Sequence, residues 1–447
     1  MPTNANNVTN HNAISTSAKT STSCVCTASY LNRITHATSE RWANNRKEWG
    51  DSLPVKRKIV IIASILAIIF VTECSHAFEI VWDNPNTLTA GTYARIHRLN
   101  DARLLLSYEK GGQSYMRFSS DEARTWSPPL LAFPRSQQCT PAWGSAKLNA
   151  CNPEFAQLSK GNPHRPNRLI LACNMRPQNP FATRFPYAIA IRVSDTLGAT
   201  WSEMKTLYQS DTRLDSDKDT RWGCWEPFIL ELPDGTVQLY FADETPYHAK
   251  RRKYQNISVM ESKDGGETWG KPRVACYKAS ARDGMPVATL HDGYIYLAIE
   301  SNRASSHLHP EIISTPLVGN WSTPVLANSP FRFHPDRPCD AYSDFKSGAP
   351  YLIQTENYFL LSYQTSEGSA CEASDKHAMM EVLAAPKTEM KSGEVPIFRG
   401  RTRPLHLNPK EERGLWNSLC PLSGDTFLAV TSTNGVLVTI RGRIAGR

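Results

Sequence analysis

The apolar octamer RLLLSYEK occupies residues 103–110, and five segments of the same kind follow it along the chain. They are RLILACNM at 168–175, VQLYFADE at 237–244, YIYLAIES at 294–301, YFLLSYQT at 358–365 and TFLAVTST at 426–433. Their starts lie 65, 69, 57, 64 and 68 residues apart. Short runs of aliphatic, aromatic and β-branched residues are typical of buried strands. The pattern therefore predicts six similar all-β units.

A second apolar segment and a short turn precede each octamer. The clearest examples are EFAQLSKG at 154–161, FILELPDG at 228–235, PVATLHDG at 286–293 and YLIQTEN at 351–357. Gly, Asn and Asp are the residues that tight turns between antiparallel strands favour. A hairpin unit cannot bury both of its faces alone, so we expect the six units to stack around one axis. Either residues 80–84 or residues 92–98 should complete the last unit.

A third segment follows the octamer in three of the units. The most regular copy is SKDGGETW at 262–269, and SSDEARTW at 119–126 and SDTLGATW at 194–201 are variants of it. These segments resemble the Asp-box repeats of bacterial neuraminidases, and the chain is identified as a member of the sialidase superfamily. The resemblance implies an all-β fold, a six-bladed β-propeller. We expect Asp121 and Asp264 to stabilise their turns and to take no part in catalysis.

Two aligned columns of the repeats indicate where a functional site would lie. The seventh octamer position is polar in every unit: Glu109, Asn174, Asp243, Glu300, Gln364 and Ser432. The other column opens the preceding strand at Arg95, 152–154, 225–227, 283–286, 349–350 and 416–417. Equivalent positions of propeller blades converge on one end of the central axis. We therefore expect both columns to line one cleft.

A cleft that holds carboxyl groups, framed by Trp225, Trp416 and Tyr187, suits glycoside hydrolysis. One carboxyl must protonate the leaving oxygen, while another attacks the sugar or activates water. We expect this pair to be Glu226 and Glu300, because apolar neighbours raise the pKa of a carboxyl group. The alternatives are Glu154, Asp243, Glu244 and Asp283. The residues expected to bind substrate are Arg95, Glu154, Asn174, Arg176, Trp225, Asp243, Asp283, Gln364, Trp416 and Asn417.

Three segments resemble the exo-α-1,5-L-arabinanase family of propeller glycoside hydrolases. They are WEPFILELPDG at 225–235, ARDGMPVATL at 281–290 and YFLLSYQTSE at 358–367. This resemblance implies a retaining exo-glycoside hydrolase that acts on arabinan-type oligosaccharides. It further implies that Glu226 is the nucleophile and Glu300 the acid/base.

Two other functions remain open at this point: an exo-sialidase or other sialidase-like glycosidase, and a non-catalytic glycan-binding propeller. The segment YARIH at 93–97 resembles the Arg-Ile-Pro segment of sialidases, but His97 replaces the proline. The acidic loop expected after the next strand is KGGQSY at 110–115, which contains no Asp. A sialidase would also need two more arginines beside Arg95, for which Arg176, Arg282 and Arg303 are candidates.

The charge of the chain gives no indication of a nucleic-acid partner. The 447 residues include 50 Lys and Arg against 42 Asp and Glu, a net charge of +8. Residues 1–77 contain 8 basic and 4 acidic residues, so half of the excess lies in this leader. The remainder is close to balanced, and a balanced charge is not the footprint of nucleic-acid binding.

The leader predicts export. Residues 1–54 are rich in Ser, Thr, Asn and Ala, and we expect a disordered N-terminal segment. Three basic residues at 56–58 then precede the 13-residue apolar run 59–71, which is too short to cross a hydrocarbon core about 30 Å thick. A small-x-small site at 75–77 follows. We expect a signal peptide or short anchor at 55–77, cleavage after Ala77, and a catalytic propeller domain at 78–447 that is secreted, periplasmic or extracellular.

Eight cysteines follow Ala77, and an even number in an exported protein suggests disulfides. Cys139 and Cys151 flank a loop and are expected to pair. No zinc-type Cys/His spacing and no Gly-rich phosphate loop occurs, so we expect neither a metal nor a cofactor. The expected partner is an oligo- or polysaccharide, with no nucleic acid and no membrane after signal cleavage, and we expect a monomer.

Overall fold

The computed structural model describes residues 78–179, 183, 185–210, 222–250, 254–335, 344–390, 393–394 and 396–446. The predicted disordered segment 1–54 and the signal peptide or anchor at 55–77 lie outside the described residues. So does Cys339. Within the described part, no helix is both long enough and apolar enough to cross a membrane.

The described residues form 26 β-strands and three short 3-10 helices. The strands are β1 (Phe78–Trp82), β2 (Asn86–Ala90), β3 (Thr92–Arg98), β4 (Leu104–Lys110), β5 (Gln113–Ser119), β6 (Leu130–Phe133), β7 (Ser136–Thr140), β8 (Gly144–Gln157), β9 (Leu169–Pro177), β10 (Ala188–Ser194), β11 (Lys205–Gln209), β12 (Cys224–Glu231), β13 (Val237–Asp243), β14 (Asn256–Ser262), β15 (Arg273–Cys276), β16 (Asp283–His291), β17 (Tyr294–Ser301), β18 (His309–Pro316), β19 (Arg332–Phe333), β20 (Ser347–Gln354), β21 (Tyr358–Thr365), β22 (Met379–Pro386), β23 (Arg399–Thr402), β24 (Gly414–Pro421), β25 (Thr426–Thr433) and β26 (Val436–Gly446). The 3-10 helices are Thr245–Lys250, Asp375–His377 and Lys387–Glu389.

The strands form six antiparallel sheets, which are the six blades of a β-propeller. Blade 1 contains β3 to β6, blade 2 contains β8 to β11 with β7 beside β8, and blades 3, 4 and 5 contain β12–β15, β16–β19 and β20–β23. Blade 6 contains β24, β25 and β26. The first strands of neighbouring blades contact one another in a closed circle, so they surround the axis. The predicted all-β six-bladed propeller is confirmed.

The N-terminal strands close the circle. Both β1 and β2 pair with β26, so residues from the two ends of the domain share blade 6. Phe78 lies opposite Gly446 and Trp82 lies opposite Gly442. Of the two segments expected to complete this blade, residues 80–84 overlap β1, whereas residues 92–98 form the first strand of blade 1 instead. Because strands from both ends of the domain pair in one sheet, the circle of blades is closed at blade 6.

The Asp-box segments form the expected turns. The Asp264 carboxylate accepts hydrogen bonds from the Thr268 backbone N–H at 2.8 Å and from the Ser262 hydroxyl at 2.7 Å. Asp121 makes the same bonds with Thr125 and Ser119. Hydrogen bonds from the Thr125 side chain and backbone hold the pKa of Asp121 at about 2. Both carboxylates are thus satisfied within their own turns.

The expected disulfide between Cys139 and Cys151 is absent, and that prediction is wrong. Cys139 on β7 lies opposite Ser145, whereas Cys151 lies opposite Asn174 on the other side of β8. Ser145 and Cys151 are six positions apart along one strand, about 20 Å, while a disulfide needs Cα atoms within about 7 Å. The described cysteines are all free: Cys139, Cys151, Cys173, Cys224, Cys276, Cys371 and Cys420.

Candidate active site

The first strand of every blade contains a β-bulge. The register shifts at this point in β3, β8, β12, β16, β20 and β24. One residue of each bulge has a left-handed φ between 44° and 58°. We call these six the bulge ring: Tyr93, Asn152, Glu226, Met285, Ala349 and Trp416. Proline follows four of them and has no N–H to leave unpaired where the ladder is interrupted.

The bulge ring converges on the axis. Tyr93, Met285 and Ala349 come from blades 1, 4 and 5, yet they are buried in one cluster, against which Trp416 of blade 6 packs. The two members outside this apolar cluster are Asn152 and Glu226. Because all six members share the left-handed backbone, the strain at Glu226 belongs to the fold and does not by itself indicate catalysis. What distinguishes Glu226 is its carboxyl group.

The predicted polar column forms a second ring, which joins the blades. Five of its members, and Gln255 in place of Asp243, make a hydrogen bond to the backbone of the next blade, either at the bulge residue or two residues before it. We call these six the latch residues. The bonds are Glu109 to Asn152 N (3.3 Å), Asn174 to Cys224 O (2.6 Å), Gln255 to Asp283 O (2.7 Å), Glu300 to Ala349 N (2.8 Å), Gln364 to Trp416 N (3.0 Å) and Ser432 to Gly91 O (3.1 Å). Blade-to-blade bonding is therefore enough to explain the polarity of this column.

Blade 3 departs from the expected alignment by one residue. Ala242, and not Asp243, lies opposite the residue before the bulge, and Gln255 supplies the latch in its place. Asp243 is buried on the other face, where its carboxylate accepts hydrogen bonds from the Tyr208 hydroxyl at 2.8 Å and the Thr245 N–H at 3.0 Å. The structure therefore does not bring Asp243 to Glu226. The apolar start of each octamer does not reveal such an offset.

Asp283 also lies away from the pair. It is fully buried and accepts two hydrogen bonds from the Arg332 guanidinium, at 2.7 and 2.9 Å. Arg332 donates in turn to the buried carboxylate of Glu311 at 2.6 Å. This network ties β16 to β18 and β19. Asp283 is thus a structural carboxylate of blade 4.

Arg95 and Glu154 fill the axis two residues beyond the bulge ring. Both are only 2% exposed and form an ion pair at 3.2 Å, and His97 contacts the same carboxylate at 2.7 Å. The Arg95 guanidinium lies 3.8 Å from the centre of the Tyr93 ring and donates to the Trp416 carbonyl at 3.2 Å. These side chains plug the axis and hold the bulges of blades 1 and 6, so they are not free to bind substrate.

Glu226 is half-buried at the mouth of the axis. Burial raises the pKa of the Glu226 carboxyl to about 7. The positive charge of Arg176 acts in the opposite direction, and the negative charge of Glu300 raises the pKa further. Arg176 lies 3.9 Å from Glu226 and donates to Asn174 at 2.5 Å and to Asn152. The Arg176 guanidinium also covers the Trp225 ring at 5.1 Å.

Trp225 packs against Tyr187, with ring centres 4.7 Å apart. The Arg176 guanidinium lies over the same indole ring. Trp225 therefore supports Arg176 beside Glu226. Trp416 is the half-exposed aromatic residue of the bulge ring. Its backbone N–H donates to the side-chain oxygen of Gln364. Asn417 is buried, and its carbonyl accepts from Arg95 at 3.4 Å. Gln364 and Asn417 thus shape the bulge that presents Trp416.

Glu300 occupies a space left by two glycines. A Cβ on Gly348 would lie 2.4 Å from its Oε2, and a Cβ on Gly284 would lie 3.1 Å from its Oε1. Burial raises the pKa of Glu300 to about 6, although the hydrogen bond from Ala349 N–H favours the ionised form. No side chain larger than glycine fits on either side without moving this carboxyl.

The structure therefore brings together Glu226, Glu300, Arg176, Trp225 and Trp416 from the predicted set. Two carboxyls of adjacent blades, both with pKa values raised toward neutrality, can act as proton donor and as nucleophile or base. Tyr93 is a neighbour of this pair that was not predicted from the sequence, and Arg282, predicted only as a candidate sialidase arginine, is another. Blade 1 has Ala94 where four of the other bulges have proline, so no local signal marks Tyr93. No group of metal-ligating side chains occurs within the described residues.

Comparison with known proteins agrees with the fold. Residues 100–361 match the family model of the BNR repeat-like domain. Among curated proteins no match is found. An α-L-arabinofuranosidase from Fusarium graminearum is similar at 15% identity and a TM-score of 0.56, covering 83% of this chain and 97% of that one.

Two further solved structures share the architecture. An α-L-arabinanase from Penicillium chrysogenum, complexed with arabinobiose, has 15% identity and a TM-score of 0.56, over 80% of this chain and 98% of that one. A sialidase from Streptococcus pneumoniae has 12% identity and a TM-score of 0.51, over 80% and 70%. At such identities the likeness concerns the fold alone. The resemblance to sialidase-superfamily propellers is confirmed.

Proposed function

The chain belongs to the BNR repeat-like family, and on that premise we propose that it is a retaining exo-glycoside hydrolase acting on arabinan-type oligosaccharides. One observation carries the proposal. Glu226 and Glu300 come from adjacent blades at the mouth of the axis, with carboxyl pKa values raised to about 7 and about 6. A pair that shares one proton near neutral pH is what acid-assisted displacement at a sugar requires.

The reaction uses the pair in two steps. Glu226 attacks the anomeric carbon while Glu300 gives its proton to the departing glycosidic oxygen, which leaves a glycosyl ester on Glu226. Glu300, now ionised, takes a proton from water, and the resulting hydroxide breaks the ester and restores both groups. The roles follow the arabinanase-like resemblance alone. The higher pKa, about 7, belongs to Glu226 and the lower, about 6, to Glu300, so the reactive form with Glu226 ionised and Glu300 protonated is the minor one of the two singly protonated forms.

The candidate arginines are already bonded to other residues, which supports a neutral sugar over a sialoside as the substrate. A substrate carboxylate needs a guanidinium free to bind it. Arg95 is engaged by Glu154, Arg176 by Asn174 and Asn152, and Arg282 by Glu244 and Gln255. Arg303 donates to Glu311 at 2.8 Å. Similar solved structures include an arabinofuranosidase and an arabinanase complexed with arabinobiose, which supports the choice of arabinan-type substrates.

We also propose that the propeller is exported after cleavage behind Ala77. The basis is the order of basic residues, apolar run and small-x-small site in the leader. Strand β1 begins at Phe78, so cleavage there removes no described strand.

Hydrolysis of a glycan panel tests the function. Wild type should release arabinose from α-1,5-linked arabino-oligosaccharides and leave sialyllactose intact. Glu226→Gln and Glu300→Gln should lose at least about 10³-fold in turnover. Glu109→Gln is the matched control, because Glu109 holds the same latch position in blade 1 and Gln364 shows that an amide can fill it.

Two outcomes would contradict parts of the proposal. Cleavage of sialyllactose with arabino-oligosaccharides untouched would overturn the substrate. Glycan binding without hydrolysis, unchanged in the Glu226 and Glu300 variants, would favour a binding propeller. Retention is tested with Glu226→Gly, which suits the left-handed φ of 44°: azide should partly restore activity and give a glycosyl azide of inverted configuration.

A further inference from the structure

Arg282 bridges two blades beside the carboxyl pair. Its backbone immediately precedes β16 of blade 4, and its N–H donates to the Asn302 side chain at 2.7 Å. Its guanidinium is held by blade 3, donating to Glu244 at 2.7 Å and to the Gln255 side-chain oxygen at 2.5 Å. The side chain is 35% exposed, whereas that of Glu244 is 7% exposed. The guanidinium is thus fixed from two directions at the edge of the cleft.

The Glu244 end of this bridge leads to Glu226. The second oxygen of Glu244 accepts from the Gly223 N–H at 2.8 Å, and the Glu244 N–H donates to the Gly223 carbonyl at 3.0 Å. Gly223 lies three residues before Glu226, at the entry to β12. The backbone that presents Glu226 is therefore anchored to the carboxylate that holds Arg282.

The Gln255 end leads to Glu300. A Cβ placed on Gly284 would lie 2.8 Å from the Gln255 Nε2 atom and 3.1 Å from the Glu300 Oε1 atom. The two side chains therefore meet on the same side of Gly284. Gln255 also donates to the Asp283 carbonyl, which precedes that glycine. Arg282 and Glu300 are thus separated by one amide side chain.

Other charged groups face the two carboxyls. Glu226 faces Arg176, Glu300, Arg282 and Glu244. Burial raises the pKa of the Tyr93 phenol, and the nearby charge of Glu226 adds to that increase. Glu300 faces Asp375, Arg282 and Lys346. Arg282 is the cation that acts on both carboxyls, while Arg176 acts on the Glu226 side and Lys346 on the Glu300 side.

We propose that Arg282, held between Glu244 and Gln255, is a positioning residue that keeps one of the two carboxyls, Glu226 or Glu300, ionised at neutral pH. The inference deepens the proposed glycosidase and rests on that function for its purpose, since a nucleophile must be ionised while its partner is protonated. Without Arg282, both carboxyls would hold their protons to higher pH. Glu244 would also lose its counter-charge and add its repulsion at Glu226.

The test follows the two carboxyls directly, by ¹³C NMR titration of glutamate side chains in the mature chain. Glu226→Gln and Glu300→Gln assign the two signals. In Arg282→Met both titrations should move up by about one pH unit, because a nearby opposite charge lowers a carboxyl pKa by about that amount or more. Arg282→Lys should recover at least half of the shift. The pH limbs of kcat/KM should move in parallel, whereas a merely structural role would lower activity and leave both profiles in place.

Arg273→Met is the matched control. Arg273 lies on β15 of blade 3, is 32% exposed and pairs with a glutamate, Glu261, at 2.7 Å, and it is not among the groups that act most strongly on Glu226 or Glu300. Unchanged titrations in Arg282→Met, or equal shifts in Arg273→Met, would overturn the inference. If Arg282→Met fails to fold, Arg282→Gln keeps a donor for Glu244 and gives the same test. Shifted titrations in a protein that hydrolyses no glycan would leave this inference standing and remove the proposed function.

Discussion

The Glu300 carboxylate accepts a hydrogen bond from the Ala349 backbone N–H at 2.8 Å, across the boundary between blades 4 and 5. The amide of Gln364 makes the same bond to Trp416 across the next boundary, at 3.0 Å. Glu300 therefore holds an ordinary latch position of the propeller with an ionisable group. The same carboxyl group joins two blades and takes part in the proposed chemistry.

Because an amide fills the neighbouring latch, Glu300→Gln should separate these two roles. We expect turnover to fall by about 10³-fold or more, since the variant has no proton to give. The midpoint of thermal unfolding should stay close to that of wild type, because the amide oxygen still accepts from Ala349. Steady-state kinetics and calorimetry on one preparation measure both. A large loss of thermal stability would mean that the carboxylate charge itself holds the blades.

The activity should depend on pH as a narrow bell. Burial raises the carboxyl pKa of Glu226 to about 7 and that of Glu300 to about 6. Below both values the two groups are protonated and no nucleophile exists, while above both values no proton remains for the leaving group. We therefore expect kcat/KM to be highest between about pH 6 and pH 7. A rate that keeps rising above pH 9 would contradict a carboxyl acid.

Gly348→Ala should displace Glu300 without any change in charge. The added Cβ would lie 2.4 Å from the Glu300 Oε2 atom, closer than non-bonded atoms allow, so the carboxyl must move. A misplacement near 1 Å can cost on the order of 10²-fold in rate. Gly161→Ala is the control, since open space surrounds that position. Equal activities of the two variants in kcat measurements would show that Glu300 is not held where we place it.

The variant Asp283→Asn tests whether the Asp283 carboxylate stabilises blade 4 or binds substrate. The variant leaves the buried Arg332 without one of its two anionic partners, and breaking such a pair costs about 3–5 kcal/mol. We expect a clear loss of stability in urea unfolding, with an unchanged KM for the folded fraction. A raised KM at unchanged stability would instead support the sequence-based expectation that Asp283 binds substrate.

The mature protein should begin at Phe78. Cleavage there leaves β1 intact, and Phe78 and Trp82 keep their places opposite Gly446 and Gly442. N-terminal sequencing of secreted material measures this directly. Retention of residues 1–50 in the exported protein would favour an anchored form.

Glu226 and Glu300 could be selected from the sequence because each follows or opens an apolar strand at an equivalent place in its repeat. Their neighbours could not be ranked in the same way. Asp243 and Asp283 stand in the same columns, yet one bonds Tyr208 and the other Arg332. A one-residue offset in blade 3 reverses the face on which a side chain lies, because successive residues of a strand point to opposite sides.

By itself, the sequence determined the six all-β units, their hairpins and Asp-box turns, and the closure of the circle by strands from both ends. These properties follow from local patterns of apolar and turn-forming residues, which repeat with the blades. Only the tertiary structure decided which polar residues lie at the cleft, since that depends on partners from other blades. Arg95 became an axial plug because Glu154 and the Trp416 carbonyl meet it from the neighbouring blades 2 and 6, and Arg282 became a bridge because Glu244 and Gln255 reach it from blade 3. Partners so far apart in the chain leave no trace in the local pattern of either residue.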